Sequence, residues 1–419
     1  MGAASARRER PSLDRRMVVI LLIIFVGNLG ASMGLPILPL YAQRLFDVPP
    51  QMITLLLASF YIAQFIAAPV IGRLSDRYGR VPVLVISQIG TVISFIMLGA
   101  AGSVTMLLAG RVLDGITGGN IIVAQAYIVD VTPRERRTQA LGLSFAAFGM
   151  GFIFGPALGG LLAAAFGDRV PFYVAALMTA VVVWLTYRML PETLTPEMRA
   201  RARDRERPRL KMSEMWRNRP LLLVLITVFG AQFGLGILQS TFALYGEAVV
   251  FAGESEQTIN VGVGLLLGVI GFAQLITQAV VIRKLVRRFS EPTLVIIGAV
   301  LRTASLYVFA IFAAPLIVAG GGVLFALGTG IMLPTLQAIA ASTVSDDLRG
   351  GVLGWYQAAA SLSIILSTSL AGTLFAASPT MPYWVSGTTT LLLLIPAFLL
   401  FRWTRAHRPI PAAAPAQTS

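Results

Sequence analysis

The sequence predicts an all-α integral membrane protein, with twelve transmembrane helices arranged as two pseudo-symmetric six-helix bundles. Three observations predict it. Of 419 residues, 56% are hydrophobic and only 12% charged, and the mean hydropathy is +0.78, a balance that leaves a soluble chain no core large enough. Apolar runs able to cross about 30 Å of hydrocarbon at about 1.5 Å per residue recur along the chain, for example over 17–41, 81–101 and 142–166. The second half also repeats features of the first at a nearly constant offset.

Taken in order, helices are expected near 17–43, 51–72, 82–102, 105–131, 138–166 and 170–189, then near 220–246, 258–282, 292–313, 315–343, 350–377 and 381–402. The first run follows Arg7, Arg8, Arg10, Arg15 and Arg16 as in a secretory leader. It is too long for one and lacks a small-residue cleavage site, so it reads as a retained helix. The chain then divides into an N-terminal segment (1–16), a first bundle (17–190), a polar linker (191–219), a second bundle (220–403) and a Pro- and Ala-rich tail (404–419) expected to be disordered.

Basic residues fall in alternate loops. One side holds Arg73, Arg77 and Arg80, Arg134, Arg136 and Arg137, the linker arginines, Arg283, Lys284, Arg287 and Arg288, Arg349, and Arg402, Arg405 and Arg408. The other side is nearly uncharged or acidic, with Glu247, Glu254 and Glu256. Short basic loops stay in the cytoplasm, so both termini are expected there. This topology accounts for the net charge of +14 without a nucleic-acid partner, because the basic residues form no single soluble face. Anionic lipid headgroups are an alternative partner for the linker arginines. With no cysteine and one histidine, His407, disulfides and thiolate or histidine metal clusters are excluded.

A shift of 212 residues superposes Gly118 on Gly330, Gln125 on Gln337, Arg137 on Arg349 and Gly142 on Gly354. A shift of 211 lays Arg73-Leu74 and Arg77-Tyr78 over Lys284-Leu285 and Arg288-Phe289, and one of 204 aligns Asn28, Gly30 and Tyr41 with Gln232, Gly234 and Tyr245. Duplicated halves with a site between them are a transporter architecture.

The loop after the second helix reads Gly72-Arg73-Leu74-Ser75-Asp76-Arg77-Tyr78-Gly79-Arg80. Its glycines permit a tight turn, and Asp76 among arginines offers charged hydrogen bonds at a helix end. The string resembles the G-x-L-x-D-R-x-G-R loop motif of the major facilitator superfamily. The resemblance implies a gating role for Gly72, Asp76, Arg77, Gly79 and Arg80, together with Asp130 at the end of helix 4, in latching helix 2 against helices 4 and 11.

In the fifth expected helix, Gly151, Gly155 and Gly159 recur every four residues and make one smooth face beside Pro156, while Gly142 lies roughly opposite. Generic small-residue packing explains the triple glycine alone. The whole string is similar to the antiporter motif of drug:proton exporters in the superfamily. Gln64-Phe65, Ala68-Pro69, Gly110-Arg111 through Asp130, and Arg349-Gly350 through Gly354 extend the likeness to the twelve-helix branch that includes tetracycline exporters. That placement implies the major facilitator fold in the cell membrane, and the chain is expected to be a monomer in the lipid bilayer. It further implies proton-coupled efflux of amphipathic organic compounds, with protons and a small-molecule substrate as partners and no cofactor beyond the proton gradient.

Ionisable groups at membrane depth are functional candidates. Arg111 and Asp114 lie three apart on one helical face that Gly118 and Gln125 extend, so a pair is expected there, either as a proton carrier or as a static ion pair. Arg302 lies about 15 Å into helix 9. It is expected either to snorkel and pack or to meet an anionic group. The tetracycline exporters carry acidic residues in helices 1, 3 and 9, whereas here helices 1 and 3 have none and Arg302 occupies the helix 9 position. Proton coupling is therefore expected on helix 4. Substrate-cavity candidates are Asn28, Gln64, Asn120, Gln125, Gln232, Gln239, Arg302, Gln337, Tyr356 and Gln357, alternatively interhelical hydrogen-bonding groups. The alternative function is a uniporter or symporter for a small metabolite or organic anion. Catalytic signatures of a membrane enzyme are missing, and a channel or receptor has no need of a duplicated loop motif.

Overall fold

The structure is a computed structural model that describes residues 15–118, 120–133, 137–194, 212–344 and 348–406. Most of segments 1–16, 191–219 and 404–419, with Arg134, Arg136 and His407, lies outside the described residues. Among the described residues, twelve helices are long and apolar enough to cross a membrane. They are α1 (Arg16–Phe46), α2 (Pro50–Tyr78), α3 (Arg80–Gly99), α4 (Val104–Val131), α5 (Ala140–Phe166) and α6 (Val170–Met189), then α7 (Arg219–Val250), α8 (Glu256–Leu285), α9 (Glu291–Ile311), α10 (Pro315–Ser342), α11 (Gly351–Ala377) and α12 (Met381–Trp403).

Local chemistry sets their ends. Pro50, Pro171, Pro220, Pro292, Pro315 and Pro382 stand in first turns, where a missing N–H costs nothing. Ser103, Asn218 and Ser255 cap α4, α7 and α8 by accepting the N–H of Met106, Leu221 and Thr258. Between α2 and α3, Gly79 turns the chain at φ 111°, a backbone region that side chains disfavour. Among the described residues, four helices depart from regular α geometry. α4 leaves the helix at Gly118, five-residue π segments lie at Gly246–Val250 in α7 and Thr277–Val281 in α8, and α12 is interrupted at Leu393.

The packing repeats between halves. In the first, α1 lies against α5 and α6, α4 against α2 and α3, and α3 against α6. The second repeats this pattern, with α7 on α11 and α12, α10 on α8 and α9, and α9 on α12. The halves meet through α5 on α8 and α2 on α11, which the pseudo-two-fold exchanges, and through α1 on α7 at the axis.

The buried core forks. At the end away from the arginine-bearing loops, one apolar cluster runs across both halves and includes Tyr41, Phe172, Phe242, Tyr245, Phe309 and Tyr383. Toward the arginine end it divides into one cluster within the first half, around Ile20, Leu84 and Tyr127, and another within the second, around Leu221, Val295 and Leu336. The molecule is thus sealed at the far end.

Candidate functional site

The sequence placed Arg111 and Asp114 one helical turn apart, and the structure brings them into contact. Arg111 Nη1 donates to Asp114 Oδ2 at 2.9 Å, and Asp114 is 3% exposed. Asp114 lies about 15 Å from the far end of α4 by helical rise. The Arg111 guanidinium sits over the Phe60 ring at 4.3 Å, a cation–π contact that replaces part of its lost hydration. α4 can lie this close to α2 because Gly115 has no side chain. A Cβ there would stand against the Phe60 carbonyl and 2.7 Å from Ala63 Cβ. Below the pair, Gln64 donates to the Gly118 carbonyl at 3.4 Å, and the Thr117 and Thr91 hydroxyls meet at 3.2 Å.

Arg302 is wholly buried inside the second half. It donates to Thr329 Oγ1 of α10 at 2.8 Å and to the Ala231 carbonyl of α7, and it stacks 4.5 Å from the centre of the Phe325 ring. Among the described residues it has no acidic partner. α7, α9 and α10 of its own half therefore enclose it.

At the arginine end the loop motif closes on itself. Arg80 pairs with Asp76 at 2.7 Å and with Asp130 at 3.0 Å, and also donates to the buried Ser75 hydroxyl. Arg77 stacks on the Tyr78 ring, and a Cβ at Gly72 would meet open space. Glu192, which sequence reasoning assigned only to the linker, caps α3 by accepting the N–H groups of Arg80 and Val81. Partial burial by itself would raise the Glu192 carboxyl. Four N–H donors, from Leu194, Arg80, Val81 and Thr193, together outweigh it and hold the group below the usual carboxylate range.

The α5 glycines face inward within their half. Gly151, Gly155 and Gly159 lie on the α1 backbone at Leu29 and Met33, where added Cβ atoms would clash. A Cβ at Gly142 would meet nothing within 4 Å. The neighbouring positions make the contact between halves. Gly160 stands against Asn260 and Gly264 of α8, and the Pro156 carbonyl lies 2.8 Å from a Cβ at Gly264. In a membrane such close approach supplies the packing that hydrophobic burial supplies in water.

A second junction was missed. At the far end Arg44 donates to Glu247 at 3.1 Å and to Asn260 at 3.1 Å, both in the second half. It also pairs with Asp168 of its own half at 3.4 Å, and Asn260 Nδ2 completes the ring by donating to Asp168 at 2.9 Å. The side expected to be nearly uncharged or acidic therefore carries Arg44 and Arg169, and Arg44 is neutralised on the spot. A lone arginine closing an apolar run on the acidic side was the available signal.

The cavity candidates scatter. Asn28 donates to the Phe148 carbonyl of α5, and Tyr356 donates to the Leu333 carbonyl at 3.1 Å, so both join helices within one half. Gln239 accepts the Tyr61 hydroxyl at 3.0 Å across the halves. Gln337 and Gln357 are exposed, Gln125 and Gln232 are half-buried, and the side chain of Asn120 lies outside the described set.

Known proteins agree with this architecture. The chain is 32% identical over 399 residues to a class C tetracycline resistance protein of Escherichia coli, covering 94% of this chain and 98% of that one. It is 26% identical to multidrug resistance protein 2 of Bacillus subtilis, over 88% and 91% of the two chains. The fold superposes with TM-score 0.77, at 15% identity and over 94% and 98% of the chains, on a bacterial homolog of the human lysosomal transporter Spinster. The model of the Major Facilitator Superfamily matches residues 20–260 and 255–418, and the chain belongs to that superfamily as a twelve-span membrane transporter.

Proposed function

We propose that this transporter exports amphipathic organic molecules in exchange for protons, with Asp114 carrying the proton and Arg111 as its partner. The observation that carries the reading is the buried Arg111–Asp114 pair at mid-depth on a helix of the first half. A carboxylate there is balanced by one cation, which in turn rests on one aromatic face. Adding a proton to Asp114 cancels the pair and frees the guanidinium, so the helix has two electrostatic states one proton apart.

The arginine-bearing loops support a topology with that end, and both termini, in the cytoplasm of a cell whose cytoplasmic membrane holds the protein. The Arg44 ring and the Gly160–Gly264 contact then seal the outside, and the described state is the one that loads substrate from the cytoplasm. Rocking of the halves about α1 and α7 opens the outer end for release and for uptake of the proton. The tetracycline and multidrug resistance proteins that the chain resembles support amphipathic organic compounds as its substrate class.

The test is proton release from everted vesicles carrying a pH gradient, on addition of a panel of dyes and antibiotics, for the native chain and Asp114→Asn. Substrate-dependent collapse of the gradient that disappears in the variant is expected. An unresponsive native chain, or an Asp114→Asn chain that still collapses the gradient, would overturn the proposal.

A further inference from the structure

Phe60 and Tyr61 are consecutive on α2, and their side chains serve different halves of the molecule. The Phe60 ring carries the Arg111 guanidinium, whereas the Tyr61 hydroxyl reaches across to Gln239 Oε1 on α7 at 3.0 Å. The two rings meet edge to face at 5.2 Å. Because Gly115 seats α4 on the α2 backbone at Phe60, a shift at the pair is passed to the segment that bears Tyr61. The polar contacts Arg44 to Glu247 and Asn260, and Thr54 to the Gly372 N–H, join the halves at the outer rim. Tyr61–Gln239 joins them deeper.

We infer that Tyr61 is the positioning residue that links the protonation state of Asp114 to the outer seal. The inference rests on the proton reading above. With Asp114 charged, Arg111 is fixed between it and Phe60, and Tyr61 is aimed at Gln239. With Asp114 protonated, Arg111 loses its counter-charge, the Phe60 platform shifts, and the adjoining Tyr61 releases Gln239. Asp114 is paired with Arg111 from α4, and from α2 the Arg111 guanidinium meets the Phe60 ring, beside which stands Tyr61. From α3, Thr91 and Ser94 bring only uncharged hydroxyls to α4, bonded to Thr117 and to the Gly110 carbonyl.

The chain has no cysteine, so one introduced thiol reports alone. Ala243→Cys places it under the outer seal, at a position 3% exposed, for labelling by a membrane-impermeant maleimide from the outside across a range of pH. In this parent the labelling rate, divided at each pH by that of free cysteine so that the thiolate's own titration cancels, is expected to change with pH by at least about fivefold, the lower end of ordinary site-to-site coupling. Tyr61→Phe and Gln239→Met are each expected to flatten that dependence, and the double variant to add nothing further. Their unfolding temperatures in detergent should stay near that of the parent. A Tyr61→Phe chain with the parent's pH profile overturns the inference, and if that variant fails to fold, Gln239→Met carries the same test from the other half. Asp114→Asn, measured alongside, separates the two levels. If it keeps the pH dependence the proton reading itself falls, whereas if it loses the dependence while Tyr61→Phe keeps it, only the role of Tyr61 falls.

Discussion

Arg111 and Arg302 both lie deep among the membrane spans, and the chain balances them in different ways. Arg111 has a carboxylate at 2.9 Å and a ring at 4.3 Å. Arg302 has a hydroxyl at 2.8 Å, a backbone carbonyl and a ring at 4.5 Å. A cation balanced by an acid is undone by one proton, so the first half holds a two-state element. A cation balanced by uncharged groups has nothing beside it to titrate, and serves to tie α7, α9 and α10 together. Of two similar buried charges, then, only one stands beside a group that a proton would neutralise, and the difference lies in the partner.

Arg111→Met should give the largest effect, because it strands a buried carboxylate. A loss of about 3–5 kcal/mol is expected, read as a lowered unfolding temperature in detergent. Adding Asp114→Leu should restore most of that stability, since an apolar pair of similar volume tolerates the site, while proton-driven transport stays absent. A double variant as unstable as the single one would mean that the pair holds the fold through geometry and not through charge.

The matching change in the second half, Arg302→Met, sharpens the contrast. Its three partners are left uncharged, and the α7 carbonyl keeps its place in the helix. A stability change within about 1–2 kcal/mol is expected, with the pH dependence of transport unchanged. Loss of proton coupling in Arg302→Met with coupling retained in Asp114→Asn would invert the comparison.

The seal at the end away from the arginine-bearing loops gives an intermediate case. Gly160→Val drives a side chain into Asn260 and Gly264, so closure at that end should fail. The thiol at position 243 should then label rapidly and, relative to free cysteine, equally fast at every pH. Slow labelling would show that α5 and α8 have room to slide apart without opening the seal.

What was legible in the sequence is what depends on spacing along one helix. The twelve spans follow from hydropathy, and the Arg111–Asp114 contact follows from an i, i+3 offset. The Gly151, Gly155 and Gly159 face follows from a four-residue period, though not the identity of its partner, α1. The Arg44 ring joins positions 203 and 216 residues apart in the chain, and no local pattern pairs them. Tyr61 looked like any aromatic on a membrane helix, because its role depends on which way α7 faces. The pause in α4 and the π segments of α7 and α8 are invisible to hydropathy, which averages over a turn or more.

The smallest expected effect belongs to Glu192, which does at the surface what the partners of Arg302 do in the interior. It is an exposed charge satisfied by backbone, here the N–H groups that begin α3. Its folded carboxyl lies below the ordinary value of 4.5, so its contribution is present above that pH and fades as pH falls through the folded value. Glu192→Gln should therefore cost about 0.5–1 kcal/mol near neutrality, the low end of a lost helix cap because solvent screens the group. The difference from the native chain should shrink to nothing in acid. Unfolding temperatures of the two chains measured from pH 7 downward test this. A gap that persists unchanged in acid would mean that Glu192 acts through packing, and that a charge held by backbone donors at the surface is as insensitive to protons as Arg302 is within the membrane.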